Sequence, residues 1–339
     1  RAISLGSGYL DNPVSPYGLH LINTGTLQAE GIAIEAARSA ASHDPLYAWL
    51  YVDIWEGLIA GEEAAIKGDG NVSLHFDGGE IRGDLLGLQR MFASGDALFN
   101  GRLIQSPSLG VKSLELGQPH TRLEGDLELG GDSTLDLNLH NQTDPHRAIL
   151  EVSGDALFSY FGPNQIRLKP ASEDFRGPPL REYLLISASR IEDQGSAYGT
   201  GLQVTSLSDL LQIESYEVTD TQVTAVVKSL STEQVGDYLR QHGAQAHLLP
   251  AFNAFYGNTL GRLDNDDPLF EAMIGSNDQA LVRLAQQLAP EVNGAAGQTI
   301  ASNHNLLGNV LQGRSASLRR GLSSGDGLSH TGAWVQVLN

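Results

Sequence analysis

Short runs of alternating apolar and polar residues, separated by Gly, Asn and Asp, recur between residues 18 and 131. Clear examples occupy residues 21–29, 70–79 and 123–130. Alternation with a period of two buries one face of a strand and leaves the other face in water. Strands this short, recurring about every 8–12 residues, are typical of a sandwich, a barrel or a solenoid.

Three features favour the solenoid. The phrase at residues 23–27 returns in degenerate form at residues 78–83 and 131–137. Hairpin-forming Asn-Gly pairs are scarce outside Asn100-Gly101 and Asn293-Gly294, so antiparallel meanders are not indicated. The apolar strand positions are mostly Leu, Ile and Val, which stack on themselves from coil to coil. Since such coils bury their faces only against neighbours, they form stacks with special ends.

Charge and composition exclude several classes of protein. A formal net charge of −19 argues against a nucleic-acid or anionic-membrane partner, because both need clustered Lys and Arg. The chain has no cysteine, which excludes thiolate metal sites, cysteine nucleophiles and disulfides. No window holds the roughly 18 consecutive apolar residues of a spanning helix. Residues 1–4 show no charged-then-apolar leader, so we expect a mature product or an excised fragment.

One strand-like stretch, residues 46–55, is unusually aromatic. Two of the three tryptophans lie here, and one face of the stretch carries Tyr47, Trp49, Tyr51, Asp53 and Trp55. Flat amphipathic rings stack on sugars and anchor interfaces, so this face is a candidate binding platform. The alternative is a locally two-sided core, in which residues 36–42 or a terminal cap cover the rings.

Helical signals replace the strand pattern after residue 228. Ser231 and Gln234 form a capping-box pattern that opens a helix, with Gly243 as its expected stop. Asp267 and Pro268 read as the start of a second helix. Residues 276–279 cap a third helix, which has an apolar stripe and ends before Pro290.

The C-terminal order carries a resemblance to a known family. Residues 123–229 hold regular short strands, the helical block follows, and residues 294–320 form a slim Gly- and Asn-interrupted segment. An alternating run led by Trp334 closes the chain. This order resembles the C-terminal part of bacterial autotransporter (type V secretion) passengers, where the passenger passes into its outer-membrane β-barrel.

The resemblance implies a domain layout. We expect a right-handed parallel β-helix with coils over residues 1–122 and a C-terminal cap, or autochaperone region, over residues 123–229. A helical linker then covers residues 230–293. Residues 294–331 are expected to form a slim helix for the barrel pore, and residues 332–339 the start of the first barrel strand.

The resemblance also implies partners, location and activity. The partners are the chain's own β-barrel and the barrel-assembly machinery, at the cell surface or outer membrane of a Gram-negative bacterium or after secretion. We expect a non-enzymatic passenger without metal or cofactor, acting in its own export and in adhesion to a host glycan or surface protein. Alternatively, the chain is the stalk of a secreted serine protease or esterase whose catalytic domain precedes residue 1. An independent polysaccharide-active enzyme is a third possibility, although the acidic residues are scattered rather than grouped.

Four short sequences are candidate binding, catalytic or metal sites. Arg82-Gly83-Asp84 is the tripeptide that some adhesins present to integrins, and it would need an exposed turn. Residues 321–325 match G-x-S-x-G but lack the flanking strand and helix of a nucleophile elbow. His140 and His146 are expected to be solvent-exposed turn residues. Residues 264–267 lack the spaced ligands of a calcium loop and favour a helix start.

Overall fold

The computed structural model describes residues 3–5, 19–37, 49–176, 180–276 and 278–288. The chain is mainly β, with 53% strand and 20% helix, and its strands form one large, mostly parallel, open sheet. This arrangement is consistent with the expected solenoid. The described strands are β1 (Ile3–Leu5), β2 (Leu19–Asn23), β3 (Thr26–Ala29), β4 (Ile32–Ala36), β5 (Leu50–Ile54), β6 (Leu58–Gly61), β7 (Ala64–Arg82), β8 (Leu85–Asn100), β9 (Leu103–Leu116), β10 (Thr121–Asn138), β11 (Leu150–Val152), β12 (Asp155–Phe158), β13 (Gln165–Lys169), β14 (Leu180–Ser187), β15 (Arg190–Asp193), β16 (Gln203–Ser206), β17 (Leu211–Val218) and β18 (Gln222–Ser229).

Parallel pairing arranges these strands in three ladders. Ladder A runs from β2 and β5 to β15, ladder B from β3 and β6 to β16, and ladder C from β1 and β4 to β14. The long strands β7 to β10 bend and contribute to all three ladders in turn. Strand β7, for example, pairs with β4, then with β5, then with β6. We call each successive position along a ladder a level.

Apolar side chains stack in register inside the ladders. In ladder A, Val52, Leu74, Met91, Leu109 and Leu127 are successive partners, and all are buried. Burying each such side chain stabilises the fold by about 1.5–3 kcal/mol. The three related phrases found in the sequence, at residues 23–27, 78–83 and 131–137, all lead into ladder B. The recurring phrase therefore lies at a similar position of the sheet each time.

Glycine is required where ladder B turns into ladder C, a turn that we call the BC corner. Gly83 has φ +112°, and a Cβ there would lie 2.2 Å from the carbonyl oxygen of Gly61 on the preceding level. Both the left-handed backbone and the close approach exclude larger residues. The same approach recurs between Gly101 and Gly83, at 2.3 Å, so the corner stays narrow from level to level.

Parallel pairing ends in an antiparallel segment. Strand β14 pairs with β11 in parallel on one side and with β18 antiparallel on the other, and β17 pairs with β18 as a hairpin. Val223, Ala225 and Val227 of β18 are buried. This segment lies within the expected cap region. The expected boundary between residues 122 and 123 falls inside β10, and parallel pairing continues across it.

Within the described residues, four α-helices follow β18, namely α1 (Thr232–Gln241), α2 (Leu249–Asn258), α3 (Pro268–Ile274) and α4 (Asp278–Leu288). The predicted start signals are confirmed for two of them. Ser231 and Gln234 form both bonds of the capping box on α1, and Asp267 accepts from the N–H of Leu269 on α3. Gly243, with φ +91°, lies just past the end of α1, as predicted. Helix α2 was not predicted, because its start has no side-chain cap.

The helical block packs against the segments that directly follow β13 and β18. The Tyr256 hydroxyl donates to the Leu230 carbonyl at 2.6 Å. The ring of Phe175, in a short turn after β13, meets Tyr256 and Phe270 edge-on at 5.9 and 6.2 Å. Residues 1–286 form one compact unit and residues 287–339 a second. The predicted slim helix (294–331) and barrel strand (332–339) lie outside the described residues.

Candidate functional site

The predicted aromatic strand is β5, and it has the expected two faces. Leu50, Val52 and Ile54 are fully buried. Tyr51 and Asp53 are half-buried and point away from this core, while Trp55, directly after the strand, is 56% exposed. Trp49 is half-buried, and Tyr47 lies outside the described residues. Trp55 is thus the most accessible ring that the prediction placed here.

Parallel register brings further groups onto this surface. Ile22, Asp53, His75 and Phe92 are successive partners on the outer side of ladder A. Phe92 is 43% exposed, and its ring meets His75 edge-on at 6.1 Å. We call the resulting surface the β5 face; it consists of His20, Ile22, Tyr51, Asp53, Trp55, His75 and Phe92.

Asp53 is the polar centre of the β5 face. Its Oδ2 lies 2.7 Å from Nε2 of His20, and its Oδ1 lies 3.7 Å from Nδ1 of His75. The Tyr51 ring stands nearly perpendicular to His20, with ring centroids 6.1 Å apart. The face therefore combines exposed rings with a carboxylate held between two imidazoles. Rings that stack and polar groups that accept hydrogen bonds are what sugar recognition needs.

Sequence reasoning missed His20, His75 and Phe92 as members of this face. Each lies on a different strand from Tyr51, and only the parallel register places them together. The alternation within each strand was visible in the sequence, but the pairing of one strand with the next was not.

Arg82, Gly83 and Asp84 lie at the BC corner, apart from the outer side of ladder A. Arg82 is exposed, and its guanidinium donates to Glu80 at 3.0–3.1 Å. Asp84 Oδ1 accepts from the backbone N–H groups of Arg102 and Leu103. The tripeptide lines a cavity of about 550 Å³ instead of topping a free turn. Gly83 and Asp84 both have structural roles at the corner. Binding of the tripeptide to an integrin therefore stays a prediction without geometric support.

A second group of exposed rings was not predicted. Tyr160, Phe161 and Tyr198 lie together, with ring centroids of 4.1 Å between Tyr160 and Phe161 and 5.5 Å between Tyr160 and Tyr198. Phe161 is 72% exposed and Tyr198 is 73% exposed. Two separate loops, one with residues 160–161 and one with residue 198, bring these rings together, so no local pattern pointed to them.

The groups with shifted pKa values serve packing. Burial raises the pKa of Asp136, although Arg167 binds both of its oxygens at 2.6 and 2.7 Å. Burial also raises the pKa of Asp174, which accepts from the Tyr183 hydroxyl at 2.6 Å under the antiparallel segment. Neither carboxyl faces the β5 face. Shifted pKa values often mark catalytic sites, but here they mark buried ion pairs and hydrogen bonds.

The candidate histidines and the acidic residues 264–267 have structural roles. The expectation that His140 is solvent-exposed is wrong: it is half-buried, and its Nε2–H donates to the Gly117 carbonyl at 2.8 Å. His146 is exposed, as expected. Within residues 264–267, Asp267 caps α3 and the Asn265 side chain accepts from the N–H of Ser172. The G-x-S-x-G string lies outside the described residues.

Among the described residues, no group of three or more His, Asp or Glu side chains has an arrangement that could hold a metal ion. None of the helices in the described ranges is long and apolar enough to cross a membrane.

Comparisons with protein-family models, with curated proteins and with solved structures gave no match to this chain. The functional proposal therefore depends on the geometry of the fold and of its surfaces.

Proposed function

We propose that this chain is the C-terminal part of an autotransporter passenger, with its strands forming a right-handed parallel β-helix. In this proposal it acts without enzymatic chemistry at the surface of a Gram-negative cell or after secretion. It assists its own export and folding, and it binds a host glycan or surface protein. Its own outer-membrane β-barrel and the barrel-assembly machinery are its export partners.

The observation that carries the proposal is the way the parallel ladders end. A parallel edge left open offers unpaired N–H and C=O groups to any other strand. Here β18 pairs antiparallel with β14, the last strand of ladder C, and β17 closes the hairpin. The helical block contacts the chain directly after β18, where Tyr256 donates to the Leu230 carbonyl. Stacked parallel strands with a covered C-terminal end followed by helices are the order that the resemblance implies. A stack of this kind also suits a rod that holds a binding surface away from the cell.

The β5 face supports adhesion as the outward activity. It exposes several rings on the outer side of successive strands, around the Asp53 carboxylate. Rings on a rigid sheet bind with little loss of side-chain freedom. Trp55 is the most exposed side chain among the predicted binding residues of this face, so it is the residue to truncate first.

Adhesion can be tested with the purified chain on a glycan array and on cultured host cells. We expect Trp55→Ala to weaken binding about 30-fold, since truncating a central aromatic anchor typically costs about 2 kcal/mol. Phe161→Ala is the control, because it removes another exposed ring, in the loop between β12 and β13. If both variants lose binding affinity equally, the ligand does not bind specifically at the β5 face. No binding to glycans or cells would contradict adhesion and favour the stalk of a hydrolase.

A further inference from the structure

A polar groove runs along the BC corner. Two adjoining cavities of about 550 and 530 Å³ share Arg102 and Gln118 as lining residues. The lining continues across six levels of the sheet, from Gln28 to residues 140–142. Neighbouring strands lie 4.7–4.9 Å apart, so five steps give a groove about 24 Å long. A groove of this length suits an extended chain of several units better than a single small molecule.

Hydrogen bonds between levels hold the side chains of the groove in place. Glu80 Oε1 accepts from Arg82 at 3.0 Å and from the Asn100 amide at 3.1 Å. The Gln118 amide then donates to Asn100 Oδ1 at 2.9 Å. These bonds join three successive levels before any ligand arrives. A surface ordered in advance loses less conformational entropy on binding.

Positive charge is concentrated in the second cavity, although the whole chain carries −19. Arg102 and Arg147 line this cavity, and its lining contains no Asp or Glu. Neither guanidinium forms an ion pair or side-chain hydrogen bond within the described part of the chain. The rest of the polar lining is mostly amides, namely Gln118, Asn141, Gln142 and Asn265.

The two histidines of this cavity add no charge to it in the observed geometry. Burial lowers the pKa of His140, which donates to the Gly117 carbonyl. His120 donates through Nδ1 to the Ala148 carbonyl at 3.1 Å and accepts from the Asp144 N–H through Nε2 at 3.3 Å. An imidazole that donates from one nitrogen and accepts at the other is neutral. The two arginines therefore provide the charge that a ligand would meet.

We propose that the groove binds an acidic oligosaccharide whose carboxylates pair with Arg102 and Arg147. A guanidinium matches a carboxylate through two parallel hydrogen bonds, and amides hydrogen-bond sugar hydroxyls. The first cavity, with Glu62, Asp84 and the paired Arg82, hydrogen-bonds the hydroxyl groups of the same sugar chain. This proposal rests on the groove alone and is independent of the β5 face and of cell-surface location.

The test is calorimetric titration of the purified chain with a uronic-acid hexamer, with its fully methyl-esterified form and with inorganic sulfate. We expect the hexamer to bind, and the ester to bind at least tenfold more weakly because it has the same sugars without the charge. Binding of the ester with equal affinity, or no binding of the hexamer, overturns the proposal. Competition by sulfate at the hexamer's own concentration also overturns it, since the site would then recognise any small anion.

Variants locate the binding site. Arg102→Gln and Arg147→Gln are each expected to weaken hexamer binding about tenfold or more. Arg122→Gln is the matched control, because Arg122 is exposed but pairs with Glu124 and Glu151 outside the groove. If all three variants lose the same amount of affinity for the hexamer, the effect depends only on net charge, and the proposal is contradicted. Trp55→Ala should leave hexamer binding unchanged, so failure of adhesion at the β5 face and failure of the groove are distinguishable.

Discussion

Asp84 accepts a hydrogen bond through Oδ1 from the backbone N–H of Arg102, at 2.9 Å. The same oxygen accepts from Leu103 at 3.0 Å, and the Asp84 carbonyl accepts from Ala65 at 2.9 Å. One acidic residue thus joins three successive levels at the BC corner. The last residue of the Arg-Gly-Asp string therefore holds the groove together, whatever else it does.

Asp84→Ala should lower the free energy of unfolding by about 2 kcal/mol, because it leaves two backbone N–H groups without their charged acceptor. Urea unfolding followed by circular dichroism measures this loss. Asp96→Ala is the control, since Asp96 is exposed on the next level of the sheet, and a change within about 0.5 kcal/mol is expected there. Equal unfolding midpoints for the two variants would contradict the structural role of Asp84.

Gly83→Ala should destabilise the chain far more than Gly70→Ala. Both glycines have positive φ, at +112° and +73°, so both substitutions add backbone strain of about 1–2 kcal/mol. Only at Gly83 would the new Cβ also meet a backbone oxygen, at 2.2 Å, whereas Gly70 has nothing within 4 Å. The difference between the two midpoints in thermal unfolding reports the close approach together with the more extreme φ of Gly83. Similar midpoints would show that the levels can separate.

Tyr183→Phe should cost more stability at pH 7 than at pH 4. Burial raises the pKa of Asp174 above its ordinary 3.8, while the hydrogen bond from Tyr183 opposes that rise. A carboxyl whose folded pKa is raised reduces stability as the pH rises from its unfolded pKa through its folded pKa. Removing the Tyr183 hydroxyl raises the pKa of Asp174 further. The free energy of unfolding therefore falls by about 1.5–3 kcal/mol mainly where the Asp174 carboxyl is ionised.

The measurement for Tyr183→Phe is the free energy of unfolding in urea at pH 4, 5, 6 and 7. Tyr216→Phe serves as the control, because Tyr216 is 44% exposed on β17, the outer strand of the same antiparallel segment. A loss that is the same at every pH would mean that Asp174 does not titrate in this range.

Phe270→Ala should detach the helical block from the strands. Phe270 is buried and meets Phe175 edge-on, so its truncation is expected to cost about 3–5 kcal/mol. Limited proteolysis should then cut within residues 232–276 before it cuts the ladders. Phe161→Ala removes an exposed ring and should leave the digestion pattern unchanged. Unaltered digestion of Phe270→Ala would mean that the block does not depend on this contact.

Local features of the fold could be predicted from the sequence. The alternation in residues 50–54 gave the correct inner and outer faces, because side-chain direction in a strand depends only on position. The capping residues Ser231 and Asp267 were recognised because their partners lie two or three residues away. Helix α2 was missed because Leu248, its first flanking residue, has no capping side chain.

The surfaces could not be predicted, because they depend on register between distant segments. His20, Asp53 and His75 meet only through parallel pairing, and Tyr160 meets Tyr198 only through two long loops. The BC groove likewise unites Arg102 with Arg147, 45 positions later in the chain. No spacing in a single sequence encodes such pairs, whereas a helix cap or a strand face needs only neighbouring residues.

The most direct test of the central claim is protease treatment of intact Gram-negative cells that express the complete gene encoding this chain. An epitope tag inserted at Gly70, an exposed position within β7 where an added Cβ would meet nothing within 4 Å, reports whether this part of the sheet is accessible. If the chain is a surface passenger, added protease destroys the tag while a periplasmic marker survives. A tag that stays intact until the cells are lysed would contradict the account.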